Sequence, residues 1–514
     1  MDNGYQLFWG DTHTNLHSRH LEDLETTLRY AQELLDFWPI AYYPQDPRTV
    51  RGFWYEDWLG EEQIKREWKV ICDLAAENNQ PGEFVAFPGY EWQGDGRWGD
   101  HNVFYLYDHQ PLIRVNTLPE LYADIRRRKL WALAIPHHTA YMVGVRGKNW
   151  DVHDEELSAF VEIYSSHGCS ESDEEWMGLR ANRHMGPGIS GGTVEEALER
   201  GYRLGIICST DNHTGFAGFY GHGLMACYAR ELTREALWEA FFERRVYGVT
   251  GDRISLDFTV NDTPMGSVIH HRGPATIRVH VQGSDAIDRI EISRDNRLIA
   301  GHFHNGRWEV PTSDEKIRCK LRIEAGWGPS PTDVSDLPPR EWEGFLSIPN
   351  GTILSVERCW RTPGQWVEEP GASRCEFGFR TLQQPLGGLP SEALIFEVEA
   401  RPSDEIHILL EGKESALTLA EAMRHSQVIY FPEEVEERVR EVHGLDPEAL
   451  PRPDPFYFLS HKAKIHQAIP ETGYTASFEY VDRSPPQGRN FYRVRVYQRN
   501  GQIAWSSPIW MVND

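Results

Sequence analysis

Residues 130–138 read Leu-Trp-Ala-Leu-Ala-Ile-Pro-His-His. A continuous apolar run stopped by proline predicts a strand buried on both faces, with two histidines delivered at its end. The layout recurs along the first half of the chain. Tyr5 to Gly10 runs into Asp11-Thr-His13-Thr-Asn15, and Glu83 to Phe87 into Pro88-Gly89-Tyr90-Glu91. Ala159 to Tyr164 leads to Ser165-Ser-His167, and Leu204 to Cys208 to Ser209-Thr-Asp211-Asn-His213. Leu35 to Tyr42 reads as a further strand. So does Val103 to Tyr107, which the patch Gly99-Asp-His101 precedes. Between these runs, residues 20–37, 61–79 and 118–128 carry apolar side chains at helical spacing. Buried strands alternating with helices predict a mostly parallel α/β sheet, closed as a (β/α) barrel or doubly wound, with its chemistry at the strand ends.

After about Thr250 the period changes to two, as in Ser255-Leu-Asp-Phe-Thr-Val260 and Phe491-Tyr-Arg-Val-Arg-Val-Tyr497. This alternation predicts an antiparallel, sandwich-like second half. The expected domains are therefore 1–252 and 253–514. A helical insertion is expected near 415–445, with Ser415 as a helix cap, and a loop over 326–345.

The chain has 514 residues and a formal charge of −26, from 52 basic and 78 acidic side chains. That balance excludes a broad electrostatic nucleic-acid surface. Seven cysteines at wide spacing, with no Cys-x-x-Cys, argue against a disulfide framework or a thiolate zinc site. No signal-peptide pattern and no membrane-length apolar run is found, so a cytoplasmic protein without membrane partners is expected. Homo-oligomerisation is left open.

Histidines and carboxylates at successive strand ends converge on one pocket. Nitrogen and oxygen donors without thiolates suit Mn, Zn or Fe. Paired ions of this kind promote hydrolysis, and a carboxylate such as Glu91 is suited to bridge them.

The opening Trp9-Gly-Asp-Thr-His-Thr resembles the first motif of the PHP (polymerase and histidinol phosphatase) superfamily. Pro-Gly-Tyr-Glu91, the His101 patch, Ile-Pro-His-His138 and Ser-Thr-Asp-Asn-His213 are similar to its later motifs, in the same order. The likeness is closer to the large branch of that superfamily with a β-rich C-terminal extension. The resemblance implies a distorted (β/α)7 barrel that hydrolyses phosphoesters with two or three divalent metals. It implies His13 and Asp211 on the first metal, Glu91 bridging, and His101 and His137 on the second, with His138 as the alternative. It implies His20 and His213 near a third. Asn15 and Tyr43 stand where the superfamily has histidines; Asn15 is still a candidate ligand through its carbonyl oxygen, a weaker donor, and the two substitutions favour two ions over three.

His138 and His167 are candidate catalytic groups, and Arg180, Arg183 and Arg253 are candidates to bind an anionic small-molecule substrate through their fixed donor forks. Arg146 and Lys148 lie in a glycine-containing loop after His138. Two other readings stand beside the phosphoesterase: an amidohydrolase-like enzyme cleaving C–N or C–O bonds, and a binding protein whose metal site has decayed.

Overall fold

The computed structural model describes residues 4–50, 53–175, 177–179, 185–304, 308–329, 331, 337–383, 391–433, 436–437, 440–441, 444–446 and 454–513. It is a mixed α/β chain, rich in strands. It divides into two compact units. The first comprises residues 1–282, 287–304 and 476–514, and the second 283–286 and 305–475. This departs from the expected division at 252. Strand β15 (Val246–Val249) pairs antiparallel with Ile503–Ser506, so the C-terminal strands complete the first unit's sheet.

The first unit opens with β1 (Gln6–Gly10), β2 (Asn15–Leu16), α1 (Leu24–Leu34), β3 (Phe37–Pro39) and β4 (Ala41–Tyr42). The hairpin β5 (Gln45–Val50) and β6 (Phe53–Trp58) and the helix α2 (Glu61–Glu77) follow. Next come β7 (Val85–Phe87), β8 (Gly89–Trp92), β9 (His101–Tyr105), α3 (Leu118–Arg128) and β10 (Ala132–Pro136). Then follow β11 (Phe160–Ser165), β12 (Gly168–Cys169), α4 (Val194–Glu199), β13 (Gly205–Cys208), β14 (Leu224–Ala229) and α5 (Arg234–Phe242), before β15.

Local chemistry sets these bounds. In α3, the Thr117 hydroxyl accepts from the Glu120 N–H while Glu120 reaches back to the cap, and Arg126, Arg127 and Arg128 occupy the last turn. Its Leu118, Leu121, Tyr122 and Ile125 are buried, one face of a 3.6-residue period.

Strand direction is where the structure differs from the expectation of a mostly parallel sheet. β1–β3, β3–β7, β4–β8 and β11–β13 are parallel. β1–β14, β8–β9 and β9–β10 are antiparallel, and the ladders fall into separate sheets. A continuous apolar run reports burial on both faces and carries no information on direction. The strands nevertheless share one core. The Phe241 ring of α5 lies 5.8 Å from Phe37, 6.1 Å from Phe87 and Phe104, and 5.7 Å from Phe160. A Cβ at Gly10 would meet the Phe37 ring at 2.2 Å, so this packing requires glycine at the last position of β1.

The second unit is built on two sheets in which every ladder is antiparallel. Strand Glu405–Leu410 alternates exposed and buried positions. Phe377 and Phe396, from different sheets, meet at 5.7 Å. Two local expectations are corrected here. Residues 413–418 form a strand paired with Glu405–Leu410, so Ser415 caps nothing, and the helix is only Leu419–Ala422, capped by Thr418. The expected loop at 326–345 is narrowed at both ends by the strands Ile317–Trp327 and Arg340–Ser347. The helix expected over 433–442 lies partly outside the described residues.

All seven cysteines are buried free thiols. Among the described residues, no helix is long and apolar enough to cross a membrane.

Candidate metal centre

Five chain segments of the first unit bring their polar residues to one place. His13 follows β1, Glu91 lies in β8, His137 and His138 follow β10, Glu162 lies in β11 and Asp211 follows β13. Asp100 precedes β9. Because β9 runs antiparallel to both β8 and β10, its start, not its end, lies on this edge. Trp92 and Pro136 both pair with His101.

His13 is the hub and is fully buried. Its Nδ1 lies 3.0 Å from Glu162 Oε2. Its Nε2 faces Asp211 Oδ1 at 3.3 Å and Glu91 Oε2 at 3.5 Å. The His137 ring centroid is 4.1 Å from that of His13, and its Nε2 lies 3.8 Å from Glu91 Oε1. Asp211 Oδ2 is 3.3 Å from His167 Nε2, whose ring is fixed by a 2.7 Å hydrogen bond between Nδ1 and the Tyr141 hydroxyl. His138 Nε2 is 3.6 Å from Asp100 Oδ2, which also accepts from Arg146 at 2.8 Å.

These side chains compose overlapping sets with metal-ligand spacing: His13–Glu91–His137, Asp100–His137–His138, His138–His167–Asp211 and His13–Glu162–Asp211. A carboxylate on one ring nitrogen of His13 fixes the tautomer, and the other nitrogen is turned toward the remaining donors. Metal-binding histidines are commonly oriented in this way, by a carboxylate on the nitrogen turned away from the ion.

The electrostatics favour cations. Burial works against a charged imidazole, yet Asp211 and Glu162 outweigh it and raise His13 well above the usual histidine range. Burial raises Asp211 well above the carboxylate range, with His13 offsetting it in part. Burial also raises Glu162, again against His13. For Glu91, burial is outweighed by the hydrogen bond and charge of His13, which hold it at about 2. One imidazole therefore serves three buried carboxylates. Burial and neighbouring histidines lower His137 and His138, and take His167 to about 3, which keeps all three rings neutral as metal ligation needs. Several buried donor atoms have no hydrogen-bond partner: Asn15 Oδ1, both ring nitrogens of His137, His138 Nδ1 and Glu162 Oε1. Orphaned acceptors beside surplus negative charge fit divalent cations.

Asp11 braces the site. Its oxygens accept from the backbone N–H of His13, Thr210 and Gly218 and from the hydroxyls of Thr14 and Thr210. Those bonds lock the segment holding His13 to the segment holding Asp211.

Other expected residues lie differently. His101 turns Nδ1 to the Gly99 carbonyl at 2.9 Å and Nε2 to Lys148 Nζ at 3.3 Å. It belongs to none of the metal-spaced sets, whereas Asp100 belongs to one of them. Burial takes Lys148 down to about 7, far below the usual lysine range. His20 turns Nδ1 to the His17 N–H at 3.1 Å, which makes it part of a cap on a short helix, and its Nε2 lies 3.2 Å from Arg19 Nε. His213 is exposed and bonds His17 at 2.8 Å, with Asn15 Nδ2 at 3.5 Å between it and His13. Arg253 donates to the Leu34 carbonyl and lies 5.9 Å over Trp9. Arg180 and Arg183 fall outside the described residues. Burial raises Cys169 well above the thiol range, so it is no nucleophile.

Sequence reading missed Glu162, Asp100 and Asp11. The signal for Glu162 was available, as a lone charge inside the apolar run Phe160-Val161-Glu162-Ile163.

Comparison with known proteins adds little chemistry. The family model described as "protein of unknown function (DUF3604)" matches residues 217–265. An uncharacterized protein of Chlamydia pneumoniae is 24% identical over 330 residues, which are 59% of this chain and 50% of the relative. One from Chlamydia trachomatis serovar D is 27% identical over 331 residues, covering 58% and 49%. The chain thus spans about half the length of the curated relatives it matches. A solved two-domain protein from Bacteroides vulgatus, titled as containing a predicted PHP-like metal-dependent phosphoesterase, is 13% identical. It covers 57% of this chain and 80% of its own, at a TM-score of 0.32.

Proposed function

We propose that the chain is a metal-dependent phosphoesterase of the PHP type, working from a distorted (β/α)7 barrel with two divalent ions, Mn, Zn or Fe. The observation that carries this reading is the set of three buried carboxylates around the single imidazole of His13. His13, Glu91 and His137 would hold one ion, and Asp211, His138 and His167 the other, with Asp100 within reach of the same pair. Glu91 and Asp211 both face His13 Nε2 and are the residues suited to bridge. Ions bound there would supply positive charge for the phosphoryl oxygens and acidity for a water.

The chain's own residues do the rest. Glu162 and Asp11 orient His13, and Tyr141 orients His167. Arg146, partly exposed beside Asp100, offers its fork to an anionic group. The reaction adds the oxygen of water to phosphorus, breaks the ester P–O bond and gives a proton to the leaving alcohol. Since His138 and His167 are held neutral, they serve as ligands or proton acceptors, not as acids.

The test is elemental analysis of untagged protein with a phosphoester screen, on wild type and Glu91→Gln. About two ions per chain, and turnover lost at least a hundredfold in the variant, are expected, roughly the scale for removing one preorganised electrostatic group. Metal-free protein that takes up no ion, or full activity in Glu91→Gln, would overturn the assignment. Cleavage of amides or lactones but no phosphoester would favour the amidohydrolase-like alternative.

A further inference from the structure

Between His137–His138 and Lys148 the chain makes a loop of which the mechanism above uses only Tyr141 and Arg146. Its ends are tied to the site. Tyr141 bonds His167, and Arg146 bonds Asp100. Its base is closed by Val145 N–H to the Met142 carbonyl at 2.8 Å and Gly147 N–H to the same carbonyl at 3.1 Å. Arg146 N–H also donates to the Gly96 carbonyl at 2.7 Å. A Cβ at Gly147 would sit 1.9 Å from the Tyr141 carbonyl oxygen, so this closure demands glycine. Arg146 itself adopts φ +67°, a left-handed conformation that any residue with a Cβ adopts at a cost and that clusters where loops carry function.

What this built loop displays is apolar. Met142, Val143 and Val145 are 52%, 39% and 52% exposed. Ile189, 45% exposed, lies on the adjoining segment, whose backbone is tied to this loop by its N–H to the Ala140 carbonyl, and a Cβ at Gly191 would meet Val143 Cγ2 at 3.3 Å. Single exposed apolar residues need no explanation, but four of them on two adjoining loop segments do. The charge of −26 makes an anionic membrane a poor occupant of this patch. The neighbouring chemistry indicates a better one: the anion-binding Arg146 and the metal-spaced cluster stand at the base of the same loop.

We infer that the loop sets substrate specificity, with Met142, Val143, Val145 and Ile189 taking up an apolar organic group whose phosphoryl end enters the metal cluster. The substrate class is then an aryl or alkyl phosphoester, and sugar or polyol phosphates are disfavoured. This rests on the phosphoesterase reading.

The test compares the triple variant Met142→Ser/Val143→Ser/Val145→Ser with wild type on 1-naphthyl phosphate and glycerol 3-phosphate. All three side chains are about half exposed, and an unchanged melting temperature confirms that the variant keeps the fold. The ratio of kcat/KM for the naphthyl over the glycerol ester is expected to fall at least tenfold, the scale of a small apolar contact in a specificity pocket. A ratio kept within twofold overturns the inference and leaves the phosphoesterase standing. If metal-loaded wild type cleaves neither ester, the phosphoesterase reading fails. Calorimetry with 1-naphthylphosphonate and methylphosphonate then decides the loop's role separately. Tighter naphthyl binding that the triple variant erases supports it, and no preference overturns it. A changed oligomeric state in the variant with an unchanged ratio would assign the patch to self-association and overturn it too.

Discussion

Two fully buried glutamates of the first unit, Glu171 and Glu91, are handled in opposite ways. Glu171 Oε1 accepts from Arg493 at 2.9 Å, and its Oε2 from Arg495 at 3.2 Å and the Trp505 indole at 2.8 Å. Burial would raise its pKa, but the two guanidinium groups outweigh it and hold it low. Glu91 instead shares one imidazole with Asp211 and Glu162, among neutral histidines with orphaned nitrogens. The first arrangement is complete as it stands and has a structural job. It ties the segment after His167 to the C-terminal strands. The second is complete only with added positive charge. The difference separates a brace from a site, although both are buried clusters of charged residues.

The contrast is broken most readily at the brace. Removing one partner of a buried ion pair costs about 3–5 kcal/mol, because the other charges stay buried and unpaired. Glu171→Ala is expected to lower the unfolding free energy by about that amount in urea titrations. A loss under about 1 kcal/mol would mean that the arginines find other partners and that the brace is dispensable.

The next effect belongs to the site. A metal that binds only the folded chain stabilises it by about 2.7 kcal/mol at a hundredfold excess over its dissociation constant. Adding Mn or Zn to chelator-treated protein should raise the melting temperature, and Asp211→Asn should abolish most of that rise. An equal rise in both proteins would place the ions elsewhere.

Asp211→Asn should also behave unlike Glu171→Ala in the absence of metal. Burial holds the Asp211 pKa well above its unfolded value, so ionising it near pH 7 opposes folding. Neutralising it is expected to stabilise the metal-free chain, by about 1 kcal/mol, while metal uptake is lost. Destabilisation comparable to Glu171→Ala would show that Asp211 is a second brace.

This comparison also explains what was legible in the sequence. His13, Glu91, His137 and Asp211 stand just past or at the end of apolar runs, and the structure brings them together. The pattern encodes where buried strands stop. It does not encode direction, so the antiparallel β9 put Asp100 at the site and turned His101 toward Gly99 and Lys148. Glu162 sits inside a strand, where the rule of strand ends does not look. The brace was invisible for another reason: Glu171 and Arg493 are 322 residues apart, and only the return of the C-terminal strands to the first unit joins them. Ser415 illustrates the same limit in the second unit, since pairing with Glu405–Leu410 overrides a locally helical sequence.

A third buried carboxylate, in the second unit, sharpens the comparison through its pH dependence. Glu392 has neither a pair of arginines on its oxygens nor a vacant metal geometry. Thr362 donates to one oxygen at 2.7 Å and the Arg361 N–H to the other at 2.8 Å. Burial dominates, those donors offset it only in part, and the pKa rises to about 8. Its folded pKa thus exceeds the unfolded value of 4.5, so the folded state holds a proton that the unfolded state has released. That contribution to stability is fully present below the unfolded value and is lost as pH climbs toward the folded one. The unfolding free energy should therefore decline from about pH 5 to about pH 8, by no more than about 1.4 kcal/mol per pH unit. Glu392→Gln should flatten that slope, because the amide carries no titrating proton. An unchanged slope in the variant would mean that Glu392 is ionised when folded, and that Arg361 balances it as the arginines balance Glu171.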